Sequence, residues 1–186
     1  MFTETKNLLS EAAVKKVNFY KSGIIKYLIA SMWAGAYVGF GIFLIMTIGG
    51  LGSESNFPFT KMLMGLSFGI ALSLVIMAGS ELFTGNNMIL TVGALDKKVT
   101  WKDSANIWVW SFIGNAIGST LLGLLLSLTN AAATPTGAFI LKTAATKMNG
   151  DFIPLLVNGI LCNLLVCLAV LCSVKMKSES GKLIMV

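Results

Sequence analysis

A chain of 186 residues with 55% hydrophobic and only 12% charged residues, and a mean hydropathy of +0.81, has too little charge to cover the surface of a water-soluble domain. These values exclude an ordinary cytosolic enzyme, a disordered chain and, despite a formal net charge of +6, a nucleic-acid binder. What remains is an integral membrane protein whose 14 basic residues are all lysine and which contains no histidine.

The first 25 residues carry an amphipathic pattern. Leu9, Ala13, Val17, Tyr20 and Ile24 recur at helical spacing while lysines occupy the other faces, so residues 5–22 read as a helix lying on the cytoplasmic membrane surface, an anchor and topology signal. An uncharged run then extends from Tyr27 to Ser53 and supplies a first span over about residues 27–50. It is of full span length with no cleavage pattern after it, so it reads as a retained span rather than a signal peptide.

Residues 62–95 are the informative stretch, because Glu81 interrupts them. Counted as one span with the N-terminus inside, they leave 11 lysines on the cytoplasmic side and only Lys61, Lys142 and Lys147 outside. Counted as two, they give seven lysines on each side and erase the positive-inside bias. One span is therefore expected, broken at 81–87, where Glu81, Phe83, Gly85, Asn86 and Asn87 with Leu82 and Thr84 form the sequence ELFTGNN. Irregular backbone inside a membrane survives only where protein or a water-filled cavity surrounds it, which leaves two readings, a permeation pathway or a buried structural kink. For Glu81 itself, hydrogen bonds from the following half-helix or a neighbouring helix are favoured over a proton relay.

A third span is expected over 104–129, ended by Asn130 and the turn-prone AAATPTG, and a fourth over 152–174. Gly35 and Gly39, Gly65 and Gly69, and Gly114 and Gly118 form GxxxG pairs in three different spans and imply close helix packing within or between protomers. Cys162, Cys167 and Cys172 recur every five residues and share no face, so they read as small helix residues, not as a metal or disulfide framework. Neither a cofactor nor enzymatic chemistry is called for: no nucleophile has a visible base.

ELFTGNN at 81–87, the half-helix from Met88 to Ala94, the basic loop DKKVTWKD, GNAIGS at 114–119 and NGILCNLLVCLAV at 158–170 together resemble the formate/nitrite transporter family over nearly the whole chain. The resemblance implies an all-α, aquaporin-like membrane bundle of six spans in two inverted repeats, assembled as a homo-pentamer with a pore in each protomer. It implies a channel or transporter in the cell membrane for small monovalent anions such as formate, nitrite or hydrosulfide, with protons as co-partners. By the same resemblance Thr84 is a pore-facing threonine, Lys147 the lysine that draws anions into an outer vestibule, and Asn163 a polar pore residue. Phe68, Leu72, Leu82 and Val166 are implied constriction residues. Taken alone, Lys147 also reads as an interfacial lysine, Thr84 as a helix cap and Asn163 as a packing residue.

Only about four of the six implied spans are present, and Leu183 to Val186 reads as the start of a fifth. The sequence is accordingly expected to be a C-terminally truncated family member lacking the family's central histidine. The alternative function is a non-conducting membrane fragment that acts only in packing or assembly.

Overall fold

The computed structural model describes residues 2–185; among them the regular structure is entirely helical. Helix α1 (Phe2–Ser22) is separated from α2 (Ile24–Glu54) by the single residue Gly23. Then follow α3 (Thr60–Ser67), α4 (Gly69–Met77), α5 (Phe83–Leu95) and α6 (Trp101–Ser127). A short 3-10 turn over Asn130–Ala133 leads into α7 (Pro135–Met148), and α8 (Phe152–Lys175) and α9 (Glu179–Met185) complete the chain. Four segments are long and apolar enough to cross a membrane: Ile24–Glu54, Thr60–Met77, Trp101–Ser127 and Phe152–Lys175.

The bundle is built on α2 and α6, which run parallel. Added methyl groups on Gly114 and Gly118 would strike Ser31 and the carbonyl of Met32, and one on Gly35 would strike the backbone of Asn115. Gly39 likewise faces Leu122. Two of the three GxxxG pairs thus join spans within one chain, where the missing side chains let the backbones touch. Gly65, from the third pair, meets nothing within 4 Å.

Helices α3 and α4 return antiparallel to α2. Gly52 meets Thr60 at one end, Gly41 meets Ala71 midway, and the N–H of Glu81 donates to the carbonyl of Ala30 at 3.3 Å. Helix α5 carries on in the same sense along α6, with Phe83 beside Asn115 and Asn86 beside Trp108. The stretch 60–95 is therefore one interrupted path across the bundle.

The interruption lies earlier than the sequence motif indicates. Residues 78–82 are non-helical, whereas Phe83, Thr84, Gly85, Asn86 and Asn87 already form the first turns of α5. The physical reason is Gly79, whose φ of 72° takes the left-handed turn that an L side chain disfavours. The polar residues after it sit where a helix start tolerates short polar side chains. A second, milder interruption falls at Phe68, between α3 and α4, where the Phe68 N–H is shared between the carbonyls of Met64 and Gly65.

Helix α1 takes the predicted amphipathic form, but its apolar stripe is covered by protein instead of lipid. Leu9, Ala13 and Val17 are buried in one core with Tyr27, Ile89, Leu90 and Ile107. Ion pairs from Lys6 to Asp96 (2.6 Å) and from Lys21 to Asp103 (3.0 Å) fasten its polar side. The hydrogen bond from Lys6 holds the Asp96 carboxyl below the usual carboxylate range.

Helix α7 falls in a stretch for which the sequence predicts no element beyond the turn-prone AAATPTG. Pro135 at its first position presets the helix, and its first residues and the ring of Phe139 pack against Gly50 and Gly49 at the far end of α2 from α1. Helix α8 lies mainly along α5 and leaves Leu156, Ile160, Leu161 and Leu164 exposed as an apolar face. The predicted start of a fifth span falls in the short helix α9, apart from Val186, which lies outside the described residues.

Candidate functional site: the interrupted helix and its cleft

Glu81, at the break, is 9% exposed and is held by side chains from three elements. Lys16 Nζ of α1 donates to both carboxylate oxygens, at 2.8 and 2.9 Å. The hydroxyl of Tyr27 in α2 donates to Oε2 at 3.1 Å, and Asn86 Nδ2 in α5 donates to the same oxygen at 3.1 Å. Asn86 also donates to the Tyr27 hydroxyl at 3.0 Å. Of the two sources expected from sequence, the following half-helix and a neighbouring helix, both contribute, through the side chains of Asn86 in α5 and of Lys16 and Tyr27 in α1 and α2. The arrangement neutralises a carboxylate in an apolar setting and ties α1, α2 and α5 to one point.

A second cluster secures the backbone on the other side of the break. Asn115, in the middle of α6, accepts from the N–H of Phe83 at 2.9 Å. Its amide nitrogen donates to the carbonyls of Glu81 at 2.9 Å and Ser31 at 2.7 Å. The indole N–H of Trp108 reaches the carbonyl of Asn86 at 3.4 Å.

Between α1, α4, α5 and α8 opens a cavity of about 460 Å³. Leu72, Ile76, Leu82, Gly85 and Val170 line it with apolar surface, while Glu81, Asn86 and Lys16 supply its polar groups and Lys15 lies on its wall. Thr84 is half-buried on the first turn of α5. Its carbonyl accepts from the Cys167 thiol at 3.5 Å, and the same thiol lies 3.2 Å from Asn163 Oδ1, so Thr84 and Asn163 are brought together through Cys167.

The remaining sequence-derived residues divide. Leu72 and Leu82 line the cleft, and Val166 is half-buried one turn from Cys167's neighbour Val170 on α8. Phe68 sits at the α3–α4 kink, outside the lining of the cleft. Phe83 turns its ring onto Phe112 of α6, with centroids 5.4 Å apart, and so points away from it. Asn87 is half-buried on the same turn as Thr84. Lys147 is not brought to the cleft: it is exposed on α7 and lines a separate apolar groove of about 530 Å³ between α2, α6 and α7.

Lys16, Tyr27, Asn115 and Cys167 are the residues that sequence reasoning missed. Asn115 had a readable signal, a lone carboxamide between the two glycines of a GxxxG pair. Lys16 had none that separated it from Lys15. Among the described residues, no group of three or more His, Cys, Asp or Glu side chains converges to hold a metal ion.

A helical bundle with four membrane-length segments, one helix interrupted inside it and a cleft of mixed polarity beside the interruption defines a polytopic membrane protein with a discontinuous helix. The formate/nitrite transporter family model matches residues 3–186. The chain belongs to the formate/nitrite transporter family. The nitrite transporter NirC of Salmonella typhimurium (strain LT2) is 39% identical over 171 residues, which are 91% of this chain and 62% of that protein. Among solved structures, an "FNT family ion channel" superposes with a TM-score of 0.89 at 33% identity, over 98% of this chain and 72% of the other. A "pentameric formate channel with formate bound" superposes with a TM-score of 0.76 at 25% identity, over 89% and 66%. This chain thus spans between about three-fifths and three-quarters of the length of these relatives.

Proposed function

We propose that the cleft beside the interrupted helix is the wall of a transmembrane pathway for small monovalent anions of the size of formate, nitrite or hydrosulfide. Thr84, through its backbone carbonyl, and Asn163 meet at Cys167 beside the start of α5, outside the lining of the cleft. The observation that carries this reading is the cleft itself, where Lys16, Glu81 and Asn86 stand beside the apolar surface of Leu72 and Leu82. Polar groups that exchange hydrogen bonds with an anion stand there beside walls that strip its water. A bare anion loses hydration at Leu72 and Leu82 without full replacement, so passage is easier as the transiently protonated neutral acid. Phe68 and Val166 complete the constriction in this reading, on the strength of the family resemblance.

The lysines support an orientation. Eleven belong to segments at the α1 end and three, Lys61, Lys142 and Lys147, to segments at the opposite end, a bias that supports α1 in the cytoplasm and α7 outside the cell membrane. The solved structure described as a pentameric formate channel supports the same assembly here.

Lys147 acts in this scheme through its field and not by contact, since it lines a groove apart from the cleft. Lys147→Ala is expected to slow anion uptake into proteoliposomes about two- to fivefold at low substrate and low ionic strength, the difference shrinking as salt rises. Uptake equal to the unaltered protein at every substrate concentration removes Lys147 from the mechanism.

A further inference from the structure

We propose that Asn115 is the positioning residue of the pathway: its carboxamide clamps the backbone on both sides of Leu82 and thereby fixes the direction in which Leu82 meets the cleft. This rests on reading the start of α5 as pathway wall, and it names what sets that wall.

The chemistry is specific to a carboxamide. Its oxygen accepts from the Phe83 N–H at 2.9 Å, and its two N–H groups donate to the Glu81 carbonyl at 2.9 Å and the Ser31 carbonyl at 2.7 Å. One side chain thus serves an orphan donor at the N-terminus of α5, an orphan acceptor of the break, and an anchor on α2. With Glu81 and Phe83 both held, Leu82 between them has little freedom and its side chain is committed to the cleft it lines. The reach depends on the flanking glycines, because Gly114 and Gly118 bring α6 against Ser31 and Met32 of α2. Leucine at this position keeps the volume but supplies neither donor nor acceptor. An ionised aspartate keeps the acceptor for Phe83 but loses both donors; a protonated one regains a single donor.

The test uses the protein in lipid nanodiscs and in proteoliposomes, with Asn115→Leu and Asn115→Asp. For Asn115→Leu, hydrogen exchange of the amides of 81–83 is expected to accelerate about tenfold, the loss of one hydrogen bond, while α2, α6 and α8 keep their protection; formate and nitrite uptake falls in parallel. Asn115→Asp is expected near neutral pH to keep the Phe83 amide protected, since the carboxylate still accepts that bond, while the amides of Glu81 and Leu82 accelerate for want of the two donors, and to recover protection there as the pH is lowered and the carboxyl takes up a proton. Exchange at 81–83 unchanged by Asn115→Leu overturns the proposal, and so does acceleration spread evenly over the bundle, which marks a plain packing role. If the leucine variant does not insert, the aspartate variant decides: exchange at Glu81 and Leu82 that shows no pH-dependent recovery beyond that of the unaltered protein overturns it. Local acceleration in a protein that passes no anion leaves the clamp standing and sinks the pathway reading instead.

Discussion

Glu81→Ala is expected to destabilise the folded bundle by about 3 kcal/mol, because it strands the ammonium of Lys16 in a setting that offers little water. The side chains of Lys16 and Glu81 are only 18% and 12% exposed. Breaking a buried pair by deleting one member costs more than the pair itself contributes, since the survivor keeps its desolvation penalty and loses its partner. Tyr27 and Asn86 lose their acceptor in the same step. The residual exposure of both groups places the figure at the lower end of the range for buried pairs. The decisive comparison is the double variant Lys16→Met/Glu81→Leu, which removes both charges at similar volume and is expected to recover most of the loss in a denaturant titration of the detergent-solubilised protein. A double variant as unstable as Glu81→Ala would show that the cost lies in the shape of the break and not in the unpaired charge.

Gly118→Val carries the other large effect, a loss of more than about 3 kcal/mol, read as failure to recover folded protein from membranes. A Cβ at Gly118 would overlap the carbonyl of Met32, which is backbone and has no rotamer to yield. Relief requires α2 and α6 to move apart, and that separation also withdraws Asn115 from Ser31 and from the break. Gly123→Val is the matched control, since nothing lies within 4 Å of a Cβ there; the same substitution on the same helix should leave the yield unchanged. Equal yields for the two variants would mean that close approach of α2 and α6 contributes little.

The parts of the fold that could be read from the sequence are those governed by a single long-range rule. Uncharged runs suggested the spans, and the lysine distribution suggested one interrupted path over 62–95; in the structure α3, α4 and α5 run antiparallel to α2 and α6. The position of the break was misjudged because Gly85, Asn86 and Asn87 have turn chemistry, while the turn itself needs only one left-handed residue, Gly79. Helix α7 was hidden because its short, lysine-bearing apolar stripe follows a turn-prone sequence, and its packing partners Gly49 and Gly50 lie far away in the chain.

The site was legible in its polar landmarks and not in its connections. Thr84 and Asn163 stand out as polar residues in apolar helices, and the structure joins them through Cys167, which looked like one of three equivalent small residues. Glu81 announced that it needed partners without revealing them, because Lys16 is 65 positions distant and sits in a lysine-rich helix that also serves as a topology signal. For Lys147 the motif is recognisable in the sequence, while its place, on a groove away from the cleft, depends on how α7 packs.

The most direct test of the account is anion uptake into proteoliposomes by Thr84→Cys in a background with Cys162, Cys167 and Cys172 replaced by alanine. Uptake of formate and nitrite is followed before and after reaction with a small charged thiol reagent, with the extent of labelling read by mass. The account predicts that quantitative modification at position 84 lowers uptake of both anions at least about tenfold, because the added group puts a charge and extra volume at the start of α5, two residues from Leu82 of the cleft. Fully modified protein that takes up both anions at the unmodified rate would contradict it, and would place the pathway somewhere other than beside the interrupted helix.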